Sequence, residues 1–277
     1  MGKYFLEEGW DSLKYLPFFF LSDNKKIVNQ VKAIGFDLFN TLITADPGAL
    51  GESMQRLTGS LTESGFRLEP ESFRKAYREA AIRFVKETKS DGKETHNRFW
   101  ISAALASVGH EVSPDDISIS KAVEDYFSTF LDYCRLIPGT AEMLSKLHGT
   151  YRLGLLSNFT HGPAVKGLLE RLGLDTFFDT VLVSGAIGFR KPHPLVFEML
   201  VESLGFEKSQ ILYVGDSLDP DVLGATRSGL RPIWMTYVQD HHLPVFPGVT
   251  PEQDETLSKN VPRVSDWDAF LSLLNET

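Results

Sequence analysis

The sequence predicts an α/β fold in which a mostly parallel sheet is packed by helices on both faces and carries a small all-helical second unit. Three observations lead there. An apolar run at 33–43 reads as a buried strand, residues 46–134 switch to helical periodicity with no convincing strand, and beyond Pro138-Gly139 apolar runs alternate with amphipathic stretches. Alternation of strands and helices with short connections means parallel strands with helices on either side.

Taken in order, residues 1–32 form an extension whose Trp10, Leu13, Leu16 and Phe20 recur at helical spacing, limited by Pro17. It is expected to pack on the core or on a second subunit. The run from Ala33 to Ile43 delivers Asp37 and breaks off at Asn40-Thr41. Four apolar stripes then predict four helices: Leu50, Met54, Leu57 and Leu61; Phe73, Tyr77, Ala80 and Phe84; Phe99, Ala103 and Ala106; Val123, Phe127 and Phe130. The charged residues around Gly92 read as a loop, followed by His96, Arg98 and Trp100, one of which could reach a substrate. The rest predicts strands at 151–156, 180–184, 210–214 and 231–236, and helices at 163–172, 194–204 and 220–228. A surface excursion at 238–263 and a closing helix from Asp266 to Leu274 complete the chain. The organisation is thus an extension (1–32), a core (33–45 with 135–277) and a helical insertion (46–134).

Composition narrows the classes of function. With 277 residues, 42% hydrophobic and 23% charged, the chain can bury a full core. A formal charge of −9 argues against non-specific nucleic-acid binding and against an anionic membrane surface. The short apolar patch from Tyr15 to Leu21 is too short to span a bilayer. Cys134 is the only cysteine, so no intrachain disulfide forms, and a cytoplasmic location is the default expectation.

Open α/β sheets place ligands at the carboxyl ends of their strands, and of four polar stretches the first, second and fourth each end an apolar run. The four are Asp37 with Thr41, Leu155-Leu156-Ser157-Asn158, Arg190-Lys191-Pro192, and Gly215-Asp216-Ser217-Leu218-Asp219-Pro220-Asp221. In this order, over roughly residues 33–236, they resemble the motif set of the haloacid dehalogenase (HAD) superfamily of hydrolases. The resemblance implies a Rossmann-like core, with the helical insertion as a cap that closes over the site and sets substrate choice. It also implies a nucleophilic carboxylate at Asp37 that forms a covalent intermediate.

If the strand ends converge, Ser157 and the nearby backbone N–H groups can hold phosphate oxygens, with Asn158 a further candidate catalytic residue. Lys191 brings a fixed positive charge, and Thr41 donates a hydroxyl. Asp216 and Asp221 flank the turn Ser217 to Pro220 and, with Asp37, cluster hard oxygen donors of the kind Mg²⁺ takes. The resemblance implies a cation held by Asp37, the main-chain carbonyl of Phe39, Asp216 and Asp221; Asp219 falls outside the matched spacing.

Phe39 stands where most phosphatases of the superfamily carry a second acid, whereas its 2-haloacid dehalogenases carry an aromatic residue there. Gly215-Asp216 favours phosphoryl chemistry. The expectation is therefore a Mg²⁺-dependent phosphatase of a small phosphorylated metabolite, monomeric or homodimeric. A metal-free 2-haloacid dehalogenase is one alternative, and a degenerate member acting in binding or regulation is the other.

Overall fold

The computed structural model describes residues 31–246 and 261–275, so the expected N-terminal extension up to residue 30 and the middle of the expected surface excursion, 247–260, lie outside the described residues. The first elements are β1 (Ala33–Phe36) and β2 (Ile43–Ala45), followed by α1 (Ala49–Glu63), α2 (Pro70–Glu87), α3 (Asn97–Ser107) and α4 (Ile117–Tyr133). Then come β3 (Cys134–Leu136), α5 (Thr140–Leu147), β4 (Arg152–Ser157), α6 (Gly162–Leu172), β5 (Thr180–Val183) and α7 (Pro194–Leu204). The series ends with β6 (Ile211–Gly215), β7 (Arg231–Met235), β8 (Arg263–Val264) and α8 (Trp267–Asn275).

Six strands form one parallel sheet in the order β5-β4-β1-β6-β7-β8. The alternating pattern of the sequence therefore resolves as expected, with β8 as an additional short edge strand. β1 and β6 are buried along their whole length, which explains their continuous apolar runs: helices cover both faces. Side chains alternate between two clusters. Ala33, Ile211 and Tyr213 pack with Phe197 and Leu200 of α7, whereas Ile34, Phe36, Leu212 and Val214 face the other layer. Gly35 and Gly154 make room for that packing, because a Cβ on either would come within 2.7 Å of the Leu200 side chain.

The insertion is helical, as expected, and is joined to the core through β2 and β3, an antiparallel ribbon that its helical periodicity did not announce. Within it the buried face of α3 is Ile101, Ala104 and Leu105, not the Phe99, Ala103 and Ala106 stripe. Ile101 and Leu105, one turn apart, bury far more apolar surface than two alanines and set the rotation of the helix. Leu50 at the start of α1 is 38% exposed, although its stripe continues correctly through Leu57 and Leu61, both buried. Cys134 is buried and free. No helix among the described residues is long and apolar enough to cross a membrane.

Candidate active site

Three adjacent strand ends meet at one edge. Phe36 of β1 is level with Leu155 of β4 on one side and with Val214 of β6 on the other, so Asp37, Ser157 and Asp216 emerge side by side. The Asp37 N–H donates to the Val214 carbonyl at 2.9 Å, which carries the ladder to the acid itself. Asn40 then adopts a left-handed φ of 61°, a conformation asparagine tolerates better than most residues. The chain turns back, and the buried Thr41 donates Oγ1 to Asp37 Oδ2 at 3.2 Å.

Lys191 enters from the loop before α7. Its ammonium donates to Asp37 Oδ1 at 2.6 Å, to Asp221 Oδ1 at 2.7 Å and to the Tyr213 hydroxyl at 3.0 Å. Asn158 holds the lysine backbone: its Oδ1 accepts from the Lys191 N–H at 2.7 Å, and its Nδ2 donates to the Lys191 carbonyl at 3.0 Å. Asn158 thus fixes the Lys191 backbone in place. Burial alone would depress the Lys191 pKa, but the carboxylates of Asp221 and Asp37 outweigh it and raise the value well above the ordinary one. The lysine remains a fixed charge.

Asp221 sits on a single turn of π-helix, Leu218–Leu223, an irregularity that often serves to aim a side chain. Its Oδ2 accepts from the Ser217 N–H at 3.0 Å, while Oδ1 faces Lys191 and Tyr213. The close approach requires Gly215, where a Cβ would lie 2.4 Å from Asp221 Cγ. Gly215→Ala should therefore displace Asp221 and, through it, Lys191. A shift near 1 Å at a reacting group costs on the order of 100-fold in rate, so kcat should fall by about that factor while circular dichroism stays native.

Asp37, Asp216 and Asp221 each present one carboxylate oxygen within 4.8 Å of the others. Asp219 is exposed and stands apart. Burial pushes Asp37 up to about 6 against the pull of Lys191, with Asp221 adding to the rise. Burial, then Asp37 and Asp221, raise Asp216 well above the usual carboxylate range, with Lys191 opposing. With all three ionised, the carboxylates against one ammonium would leave two negative charges uncompensated, and a divalent cation with a preference for oxygen ligands matches that deficit. Ser157 Oγ is buried with no hydrogen-bond partner, so a hydroxyl stands ready for an anionic oxygen at the same edge.

Asp37, Thr41, Lys191, Asp216 and Asp221 thus come together, with Ser157 on the adjoining strand end and Asn158 supporting Lys191. The Phe39 ring joins an apolar cluster: it stacks on Phe159 at 4.9 Å and lies 6.4 Å from Phe130 of α4. The cap also brings His96 to the core, where its Nε2 is 3.2 Å from His161 Nδ1. His96 Nδ1 accepts from the Arg98 N–H, which assigns the His96 proton to Nε2. Burial, then His161 and Arg98, hold His96 down to about 4. Arg98 instead pairs with Asp115, and Trp100 donates to Thr95.

Two residues escape sequence reasoning. Tyr213 lies in an apolar strand, and only its hydroxyl, which must find partners when buried, could have marked it. Phe246 belongs to the stretch expected to run over the surface, yet its buried ring lies 5.3 Å from Phe39. A single apolar residue in a Pro- and His-rich stretch carries no period from which burial could be read.

The family model described as "haloacid dehalogenase-like hydrolase" matches residues 31–229. A glyceraldehyde 3-phosphate phosphatase of Pyrococcus abyssi is 30% identical over 212 residues, covering 75% of this chain and 82% of that protein. A ribulose-1,5-bisphosphate 5-phosphatase of Halopiger xanaduensis is 30% identical over 203 residues, covering 73% and 83%. Among solved structures, a 2-haloacid dehalogenase from Pseudomonas syringae superposes with a TM-score of 0.63 at 22% identity, covering 88% of this chain and 98% of that one. That last likeness is one of fold.

Proposed function

The chain belongs to the haloacid dehalogenase-like hydrolase family, and on that premise we propose that it is a Mg²⁺-dependent phosphatase of a small phosphorylated metabolite that works through a phosphoryl group carried on Asp37. The observation that carries the reading is the buried trio Asp37, Asp216 and Asp221, whose surplus negative charge a divalent cation balances. The names of the two relatives, phosphatases of small sugar phosphates, support the choice of phosphoryl chemistry.

In the first step an Asp37 carboxylate oxygen attacks phosphorus and the bond from phosphorus to the leaving oxygen breaks. In the second, water attacks the same phosphorus, releasing phosphate and restoring the carboxylate. Lys191 orients Asp37 and faces the anionic oxygens with a permanent charge, and Ser157 and Thr41 supply hydroxyl donors. Bound Mg²⁺, held by Asp37, Asp216, Asp221 and the Phe39 carbonyl, would neutralise charge on the transferring group. Phe39 offers no proton, which favours a leaving group able to depart as an anion.

The aromatic residue at position 39 also supports a second reading, a metal-independent 2-haloacid dehalogenase using the same carboxylate on carbon. Assays on acetyl phosphate, p-nitrophenyl phosphate, glyceraldehyde 3-phosphate and 2-chloropropionate, each with Mg²⁺ or EDTA, separate the readings. Phosphate release that EDTA abolishes is expected. Halide release indifferent to EDTA would establish the dehalogenase, and no turnover on any of the four would leave a binding protein. Mg²⁺ at about 100 times its Kd should stabilise the fold by about 2.7 kcal/mol. At roughly 2–4 °C per kcal/mol the melting temperature should rise by several degrees, and Asp216→Asn should abolish the rise.

A further inference from the structure

Residues 236–246, which follow β7, return to the site and are anchored there. The Asn40 side chain pairs with the backbone of Phe246 in both directions, donating Nδ2 to its carbonyl at 2.6 Å and accepting its N–H on Oδ1 at 2.9 Å. Asn40 is itself buried, in the turn that links Asp37 to Thr41. The Phe246 ring is 6% exposed, and it lies 5.3 Å from Phe39 of the core and 5.1 Å from Phe130 of the cap. A segment outside both the first strand's turn and the cap therefore touches both.

Lys191 and Thr41 engage the Asp37 carboxylate directly, and Ser157 stands on the neighbouring strand end, so an anionic group in transfer belongs on their side. Phe39, two residues beyond Asp37, packs its ring with those of Phe130, Phe159 and Phe246, a cluster that carries no charge and no hydrogen-bonding side-chain atom. Resting on the phosphatase reading, we propose that these rings wall the part of the site that takes the non-anionic portion of the substrate, and that Phe246 is a specificity-determining residue: it fills this wall and restricts the enzyme to substrates with a compact leaving portion.

Packed interiors relax only partly around a truncated aromatic residue, so Phe246→Ala should leave an aromatic-lined space able to take a phenyl ring. Differences of this size in an apolar pocket are worth about 10- to 200-fold in selectivity. The test is the ratio of kcat/KM for p-nitrophenyl phosphate to that for acetyl phosphate, measured with Mg²⁺ on the full chain. Phe246→Ala should raise the ratio at least about tenfold and Phe246→Leu by less, with native circular dichroism; if the alanine variant does not fold, a rise of about threefold in the leucine variant carries the claim. Calorimetric titration with phenylphosphonate and methylphosphonate reads the same wall without turnover, and the preference for the phenyl compound should rise in parallel. A ratio unchanged in folded variants, in an active wild type, overturns the role of Phe246 alone. A shifted phosphonate preference without turnover on any substrate supports the role of Phe246 and overturns the phosphatase. Failure of the wild type to bind either phosphonate or to turn over any substrate overturns both.

Discussion

Asp37→Asn should remove turnover, with a loss on the order of 10⁴-fold or more, the scale seen when a covalent nucleophile is deleted from a group acting as a unit. An amide of the same shape keeps its place beside Lys191 and Thr41 but offers no anionic oxygen to attack with. The fold should not suffer, because the carboxylate is a burden there: burial raises its pKa to about 6 against an ordinary 3.8. The sign follows from linkage. Between those pH values the folded chain retains a proton that the unfolded chain has lost, so this group makes metal-free stability fall as pH rises from about 4 through 6. Urea melts in EDTA at pH 5 and pH 7.5 should show a smaller decline for Asp37→Asn than for the wild type. A variant that keeps more than a few per cent of activity would place the nucleophile elsewhere.

Lys191→Met should damage both activity and stability. The ammonium is shared by Asp37 and Asp221 at 2.6 and 2.7 Å, and all three residues are buried. Removing one member of a buried ion cluster leaves the others charged without compensation, which costs on the order of 3–5 kcal/mol. The rate should fall by about 10²- to 10³-fold, as when an electrostatic donor is lost from a preorganised site. Lys191→Arg should not rescue it, because a planar fork cannot replace a compact ammonium among three converging oxygens. Melting temperature and kcat in Mg²⁺ measure both effects. Normal stability with normal kcat would show that the cluster is neither structural nor catalytic.

The contrast between these residues shows what was legible before the chain was folded. Asp37, Ser157 and Gly215-Asp216 each close an apolar run, and in a parallel sheet the end of a buried strand is both easy to recognise and close to the ends of its neighbours. The phosphatase-like pattern of the last motif was equally visible, as was the missing acid at Phe39. Lys191 is different in kind: nothing in Arg190-Lys191-Pro192 itself marks a buried cation, and only the motif order pointed to it. Its environment comes from Asn158 bracketing its backbone and from a π-turn that swings Asp221 over Gly215.

The amino-acid sequence by itself determined the alternation of strands and helices, the helical insertion and the set of polar residues available at the strand ends, because periodicity and strand termination are local properties of the chain. Only the tertiary structure decided which face of α3 is buried, that Tyr213 joins the lysine cluster and that Phe246 returns to Phe39 and Phe130. Those outcomes depend on through-space pairing between segments far apart in the chain, and such pairing leaves no period along it.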